Sequence, residues 1–199
     1  MRLYWREFVA GKDARVVVDK IDGRPFSTEF AFTRFLVPSL QGRGWALCCD
    51  ADFLFTADVA ELFQYMDDQY AVRVVKHDYR PPEKSKMDGQ PQRAYPRKNW
   101  SSFVLWNCSH PLNRVLTPET VNRQTGRWLH GFSWLQDAEI GGLPESWNWL
   151  EGWSPSHIPP KAIHFTRGGP WFDDWRHVKY GELWSAEASL SRMTFAAAS

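Results

Sequence analysis

The chain has no long apolar run, little cysteine and almost no net charge, and each shortage excludes something. No stretch of its 199 residues approaches the roughly 18 consecutive apolar residues that cross a bilayer, so no membrane span is predicted. The opening Met1-Arg2-Leu3-Tyr4-Trp5-Arg6-Glu7 is polar and aromatic and lacks the apolar core of a signal peptide. A cytoplasmic location is therefore expected. Cys48, Cys49 and Cys108 are odd in number and lie in apolar runs, which reads as buried free thiols in a reducing compartment rather than disulfides. A formal net charge of +1, from 24 basic and 23 acidic residues, removes any electrostatic reason to expect nucleic acid or an anionic membrane as partner. Arg93, Arg97 and Lys98 still sit together, and Arg167 adjoins a glycine pair, so local anion sites stay open. No internal repeat, low-complexity tract or linker interrupts the text, and a single domain over residues 1–199 is predicted.

What the chain has in abundance is tryptophan, with twelve. Buried indoles supply apolar area, and exposed ones stack on sugar or base faces. Most are expected in the core. Trp100, Trp147, Trp149 and Trp171 stand among polar or glycine residues and are candidates to line a carbohydrate site.

The patterning reads as mixed α/β. Arg15-Val16-Val17-Val18 is a short β-branched run. Ser27-Thr28-Glu29 has the hydroxyl caps and early acid of a helix start. Phe30, Phe32, Phe35, Leu36 and Leu40 follow at helical spacing, with Pro38 limiting the helix. Gly44 to Cys49 is a continuous apolar run, as in a strand buried on both faces. A short helix is predicted from Asp58 to Tyr65 and strands at Ala71–Val75 and Phe103–Cys108. Between the two strands, His77 to Asn99 is polar and without period, a character usual for functional loops. Thr117-Pro118-Glu119 is another helix start. Ile158 to Ile163 leads into His164, and the last fifteen residues read as a helix.

Chemistry concentrates at two places. Asp50-Ala51-Asp52 ends the Gly44–Cys49 run, at the strand edge where open α/β sheets hold ligands. Two hard carboxylates there suit Mg²⁺ or Mn²⁺; the plainer reading is two acids capping the next segment. The second place is His164-Phe165-Thr166-Arg167-Gly168-Gly169-Pro170-Trp171. His164 can give a metal nitrogen, the glycines let amides approach an anion, and Arg167 can add a charge-assisted bond to phosphate. The plainer reading is an ordinary glycine-proline turn with a satisfied histidine.

Taken in this order, the two elements resemble the retaining glycosyltransferases of family 8. Those enzymes pair an Asp-x-Asp with a histidine in a downstream His-x-x-Gly-x-x-Lys-Pro-Trp motif. The stretch from Ser27 to Trp184 is also similar to a group of uncharacterised bacterial and phage glycosyltransferase-like proteins. Ser27-Thr28-Glu29-Phe30, the run from Thr33 to Pro38, Val75 to Tyr79, Tyr95 to Ser102 and Trp147-Asn148-Trp149-Leu150 carry that likeness.

The resemblance implies a GT-A-like, Rossmann-like mixed sheet flanked by helices. Only 49 residues precede Asp50, so the first βα unit of the nucleotide-binding half is expected to be missing. It implies that Asp50, Asp52 and His164 hold Mn²⁺ or Mg²⁺. It implies that Arg34, Ala51, Lys98, Trp100, Ser101, Ser102, Arg167, Gly168 and Gly169 face a nucleotide-sugar donor, most simply a UDP-sugar. Gly169 stands where the family has lysine, so phosphate neutralisation falls to Arg167 or Lys98. Asp137, with Gln136 beside it, resembles the carboxylate next to the anomeric carbon; its plainer role is a helix-start acid. The expected activity is sugar transfer to a carbohydrate or other acceptor with the anomeric configuration kept. The alternatives are a nucleotide-sugar- or glycan-binding protein without catalysis and a nucleotide-sugar hydrolase.

Overall fold

The computed structural model describes residues 4–10, 17–26, 31–78 and 97–197. The helix start expected at Ser27-Thr28-Glu29, Arg15 and Val16, Arg93 and most of the irregular stretch after His77 lie outside these residues. The chain divides into two compact units. The first holds residues 1–50 and 60–143, the second residues 51–59 and 144–199.

The first unit carries two sheets. A small antiparallel one joins β1 (Phe8–Ala10), β2 (Val17–Asp19) and β3 (Pro25–Phe26). Buried inside it, Arg6 pairs with Asp19 and donates to the Val121 carbonyl at 2.9 Å. The larger sheet has the order β4 (Trp45–Cys49), β7 (Phe103–Asn107), β6 (Val72–Val74), β8 (Ile140–Gly142). It is mixed, since β6 and β8 run parallel while β7 is antiparallel to both of its neighbours. The mixed α/β class expected from the pattern is what forms.

Position in the sheet explains one departure. The apolar run before Asp50 was expected to be buried on both faces, yet β4 is an edge strand and all five of its residues are half-buried. The central strand, β7, is buried at every position. An apolar run states how much of a strand is covered, not which neighbours cover it. A second departure concerns Pro38. The segment Thr33–Leu36 is a 3₁₀ turn, and the short helix α1 (Val37–Gln41) begins after it with Pro38 in its first turn. Proline costs nothing there, because a first-turn amide has no carbonyl to reach. Pro38 starts the helix rather than stopping it. Val59–Tyr65 likewise winds as a 3₁₀ segment instead of an α-helix.

The helices α2 (Pro118–Arg123) and α3 (Gly126–His130) are capped by Thr117 and Thr125 hydroxyls, which accept from Thr120 and Trp128 amides. They close the core of the first unit, where Phe35, Val72, Val74, Val104, Trp106, Leu129, Phe132 and Ile140 are all buried. Phe35 is its hub. Its ring meets those of Trp106, His130, Phe132 and Trp134 edge-on, with centroids 5.1 to 6.2 Å away, the arrangement aromatic quadrupoles favour.

The second unit is built on the sheet β5 (Phe53–Phe55), β10 (Ala162–His164), β9 (Trp149–Leu150), with β10 antiparallel to β5 and parallel to β9. Leu54, Trp149, Ile163 and Phe165 form its core, covered by Ile158, Val178, Tyr180 and Trp184. Helix α4 (Gly181–Ala197) supplies Trp184 and begins four residues before the expected terminal helix. No helix among the described residues is long and apolar enough to cross a membrane.

Replacing Phe35 by alanine removes the hub ring and leaves a cavity that four rings cannot fill. The expected loss is about 3–5 kcal/mol of unfolding free energy, measured by urea denaturation. A loss under about 1 kcal/mol would show that the rings repack around the gap.

Candidate functional site

His164 ends β10, and strand register decides what it faces. It pairs with Phe53 on β5, whose ring stacks on the imidazole at 4.4 Å and 20°. The Phe165 amide donates to the Asp52 carbonyl at 3.0 Å. Asp52 immediately precedes Phe53, so this pairing carries its carboxylate to the histidine. Nε2 of His164 lies 3.4 Å from Asp52 Oδ1.

The other ring nitrogen is held from behind. Nδ1 of His164 is 2.9 Å from Oδ1 of Asn148, and both residues are buried. An amide oxygen only accepts, so Nδ1 donates to Asn148 and Nε2 is the ring nitrogen turned toward Asp52. A carboxylate oxygen and an imidazole nitrogen held this close suit a shared proton or cation. An outer partner on the far nitrogen is also what orients a metal-binding imidazole.

Asp50 stands two positions before Asp52 along the chain. One carboxylate oxygen of Asp50, one of Asp52 and a ring nitrogen of His164 lie within 4.8 Å of one another, a grouping able to hold a metal ion. Two oxygens and one imidazole nitrogen suit Mn²⁺ or Mg²⁺ and leave further positions for water or phosphate oxygens. The residues fit the ion that their pattern implied.

Asp50 is anchored on its other side. Its amide donates to the Ser102 carbonyl at 2.9 Å, and its carboxylate meets Nη1 of Arg34 at 2.5 Å. The same Nη1 reaches the Ser101 carbonyl at 2.8 Å, and Nε donates to the Ala31 carbonyl at 3.1 Å. Ser101 Oγ lies 2.8 Å from Nδ1 of His130, and Ser102 Oγ donates to the Asn99 carbonyl at 2.6 Å. Arg34, Asp50, Ser101 and Ser102 thus share one network. Ahead of it, Arg97 and Asn99 hold positive φ angles of 59° and 63°, a strained form that persists where surroundings enforce it. Lys98 between them is buried. Beside Asp50, burial pushes the Cys48 thiol up from its ordinary value, with Arg34 pulling it down and Asp50 raising it.

The remaining predicted residues are distributed over other elements. Ala51 is exposed. Trp100 is half-buried, its indole donating to the His77 carbonyl at 3.0 Å. Asp137 is exposed at the start of the 3₁₀ turn Asp137–Glu139 and pairs with Arg97 at 2.5 Å. Gln136 caps that turn, its amide accepted by Glu139 at 2.7 Å. Arg167, Gly168 and Gly169 follow β10 in a turn closed by the Gly168 amide on the Phe165 carbonyl at 2.9 Å. Among the tryptophans proposed to stack on sugar, Trp147 and Trp149 are fully buried core residues and offer no face. Trp171 is 39% exposed, as is the unanticipated Trp153 at 40%. Asn148 was missed as a functional residue. Its signal was an amide set inside the otherwise apolar Trp147-Asn148-Trp149-Leu150, where a polar group needs a buried partner.

No family model matches the chain. The Arabidopsis thaliana protein CDI is 50% identical to it over 191 residues, covering 93% of this chain and 68% of that protein. Two crystal structures of the glycosyltransferase GlyE from Streptococcus pneumoniae TIGR4, one an apo form, resemble it with TM-scores of 0.53 and 0.52. At 16% identity over 78% and 80% of this chain, that likeness is one of fold, of the GT-A-like type expected. The chain spans 42–43% of the GlyE length.

Asn148→Ala would remove the partner of Nδ1 and let the imidazole turn. The expected result is a loss of about 10–100-fold in Mn²⁺ affinity, read by isothermal titration. Affinity equal to wild type would show that Asn148 does not orient the ring.

Proposed function

The chain belongs to the family of the Arabidopsis thaliana protein CDI, and we propose that it is a metal-dependent glycosyltransferase. It moves a sugar from a nucleotide-diphosphate donor, a UDP-sugar, to a carbohydrate or other acceptor and keeps the anomeric configuration. The observation that carries this reading is the buried histidine whose Nδ1 is engaged by Asn148 while Nε2 meets Asp52 at 3.4 Å, beside Asp50. The likeness in fold to GlyE, a protein described as a glycosyltransferase, supports it. So do the motifs similar to family 8 and to the bacterial and phage glycosyltransferase-like proteins.

Asp50, Asp52 and His164 would hold the divalent ion, Mn²⁺ or Mg²⁺. When bound, that ion supplies Lewis-acid neutralisation of the departing diphosphate. The chain's own residues supply position and charge. Arg34, fixed on Asp50 and the Ser101 carbonyl, steers that carboxylate and keeps one positive charge beside the donor. Ala51, Lys98, Trp100, Ser101 and Ser102 contact the donor. The Arg167-Gly168-Gly169 turn offers a guanidinium and close-approach backbone to phosphate oxygens. Asp137, with Gln136 second, stabilises the positive charge that develops at the sugar carbon. The expected location is cytoplasmic, as the odd number of cysteines in apolar runs suggests.

Asp52→Asn is expected to abolish Mn²⁺-dependent donor turnover, measured as UDP release with and without acceptor. Wild-type rates in that variant would remove the metal from the mechanism. Release of free sugar without acceptor would indicate hydrolysis instead. Asp137→Ala should lose transfer and still bind UDP in the presence of Mn²⁺; lost UDP binding would make Asp137 a cap for its own turn.

A further inference from the structure

Edge strand β4 runs into Asp50 at its end; its start lies beside a cavity of about 430 Å³ in the first unit. One wall of this cavity is the turn from α1 to β4, where Arg43 stands between Gly42 and Gly44. Those glycines hold φ angles of +74° and +75°, which sharpen the turn. Two hydrogen bonds fasten it to the chain leaving β7. The Gly44 amide donates to Ser109 Oγ at 2.8 Å, and the Cys108 amide donates to the Gly44 carbonyl at 2.8 Å. Another wall is the 3₁₀ segment Pro111–Val115, which carries Arg114. Its anchor is the buried Asn113, whose Nδ2 donates to the Ala71 and Asn107 carbonyls at 2.7 and 2.9 Å. Asn113 Oδ1 accepts from the Trp134 indole at 3.2 Å. Both arginines therefore project from backbone that is tied down.

The charge of the cavity is one-sided. Arg43 and Arg114 line it, and no aspartate or glutamate does. Neither guanidinium has an ion pair or hydrogen bond among the described residues. Burial pushes the Cys108 thiol at the wall up from its ordinary value, so it adds no negative charge at neutral pH. Ser109 Oγ accepts from Gly44 and keeps its own hydrogen to donate. Two guanidiniums lining one concavity repel each other, and an anion shared by both reverses the sign of that interaction. Their planar forks match the paired oxygens of a phosphate or carboxylate, and the volume lies in the range of small-ligand clefts. We propose that this cavity binds a small molecule through an oxyanion, phosphate or carboxylate, gripped by Arg43 and Arg114 with the Ser109 hydroxyl as third donor. Gly44 and Asp50 are six positions apart across the extended β4, about 20 Å, so the site is distinct from Asp50 and independent of the glycosyltransferase reading.

Inorganic phosphate is the probe, titrated into the full chain at fixed ionic strength while the amide NMR shifts of Gly42, Gly44 and Ser109 are followed. Succinate is titrated in parallel to separate carboxylate from phosphate recognition, and chloride gives the response to salt alone. Saturating shifts at these amides are expected with at least one of the two oxyanions. The double variant Arg43→Ala/Arg114→Ala should bind that oxyanion at least about tenfold more weakly. Both side chains are exposed, so the variant is expected to keep the wild-type melting temperature and Mn²⁺ affinity. The proposal is overturned if neither oxyanion moves these amides beyond the chloride response, or if the double variant binds as wild type does. Phosphate that perturbs only the surroundings of Asp50 and Asp52 also overturns it, and leaves the transferase standing.

Discussion

The antiparallel pairing of two three-residue strands, Phe53–Phe55 with Ala162–His164, is the constraint on which the site depends. It joins segments more than a hundred residues apart, lays the His164 ring on Phe53 and brings the Asp52 backbone to Phe165. A slip of one residue would turn His164 to the opposite face of the sheet, away from Asp52 and from Asn148. Both faces of the strand are committed to the core, since Ala162, Ile163 and His164 are all buried. That burial resists the slip.

Charge around Asp50 and Asp52 is handled by different means on each acid. Asp50 is met by the Arg34 guanidinium and tied through its amide to Ser102. Asp52 faces Nε2 of an imidazole whose Nδ1 is held by Asn148. One acid is met by a fixed cation and the other by an imidazole nitrogen, and the three ligand atoms together can hold a metal ion. The hydroxyls of Ser101 and Ser102 are engaged with His130 and Asn99, so their side chains stiffen the approach to Asp50.

The tryptophans illustrate the limits of reading neighbours along a sequence. Trp147 and Trp149 stand beside polar residues in the chain, yet both are buried, one in the 3₁₀ turn Glu145–Asn148 and the other at the start of β9, while the equally buried Asn148 between them reaches His164. Trp171 and Trp153 remain partly exposed, and Trp171 leans on Phe165 and Trp184. Exposure of an indole was decided by its packing partners rather than by local composition.

The sequence by itself determined the class of fold, the strands around Val72–Val74 and Phe103–Asn107, the helix start at Thr117-Pro118, and the chemical identities of Asp50, Asp52 and His164. Those are consequences of local pattern, cap chemistry and side-chain type, all of which are printed along the chain. Tertiary structure alone decided that the apolar run before Asp50 lies at a sheet edge, that Pro38 opens a helix, and that Asn148 directs His164. Each of these depends on which distant segment lies alongside, and strand pairing at long range leaves no periodicity in either partner from which to read it.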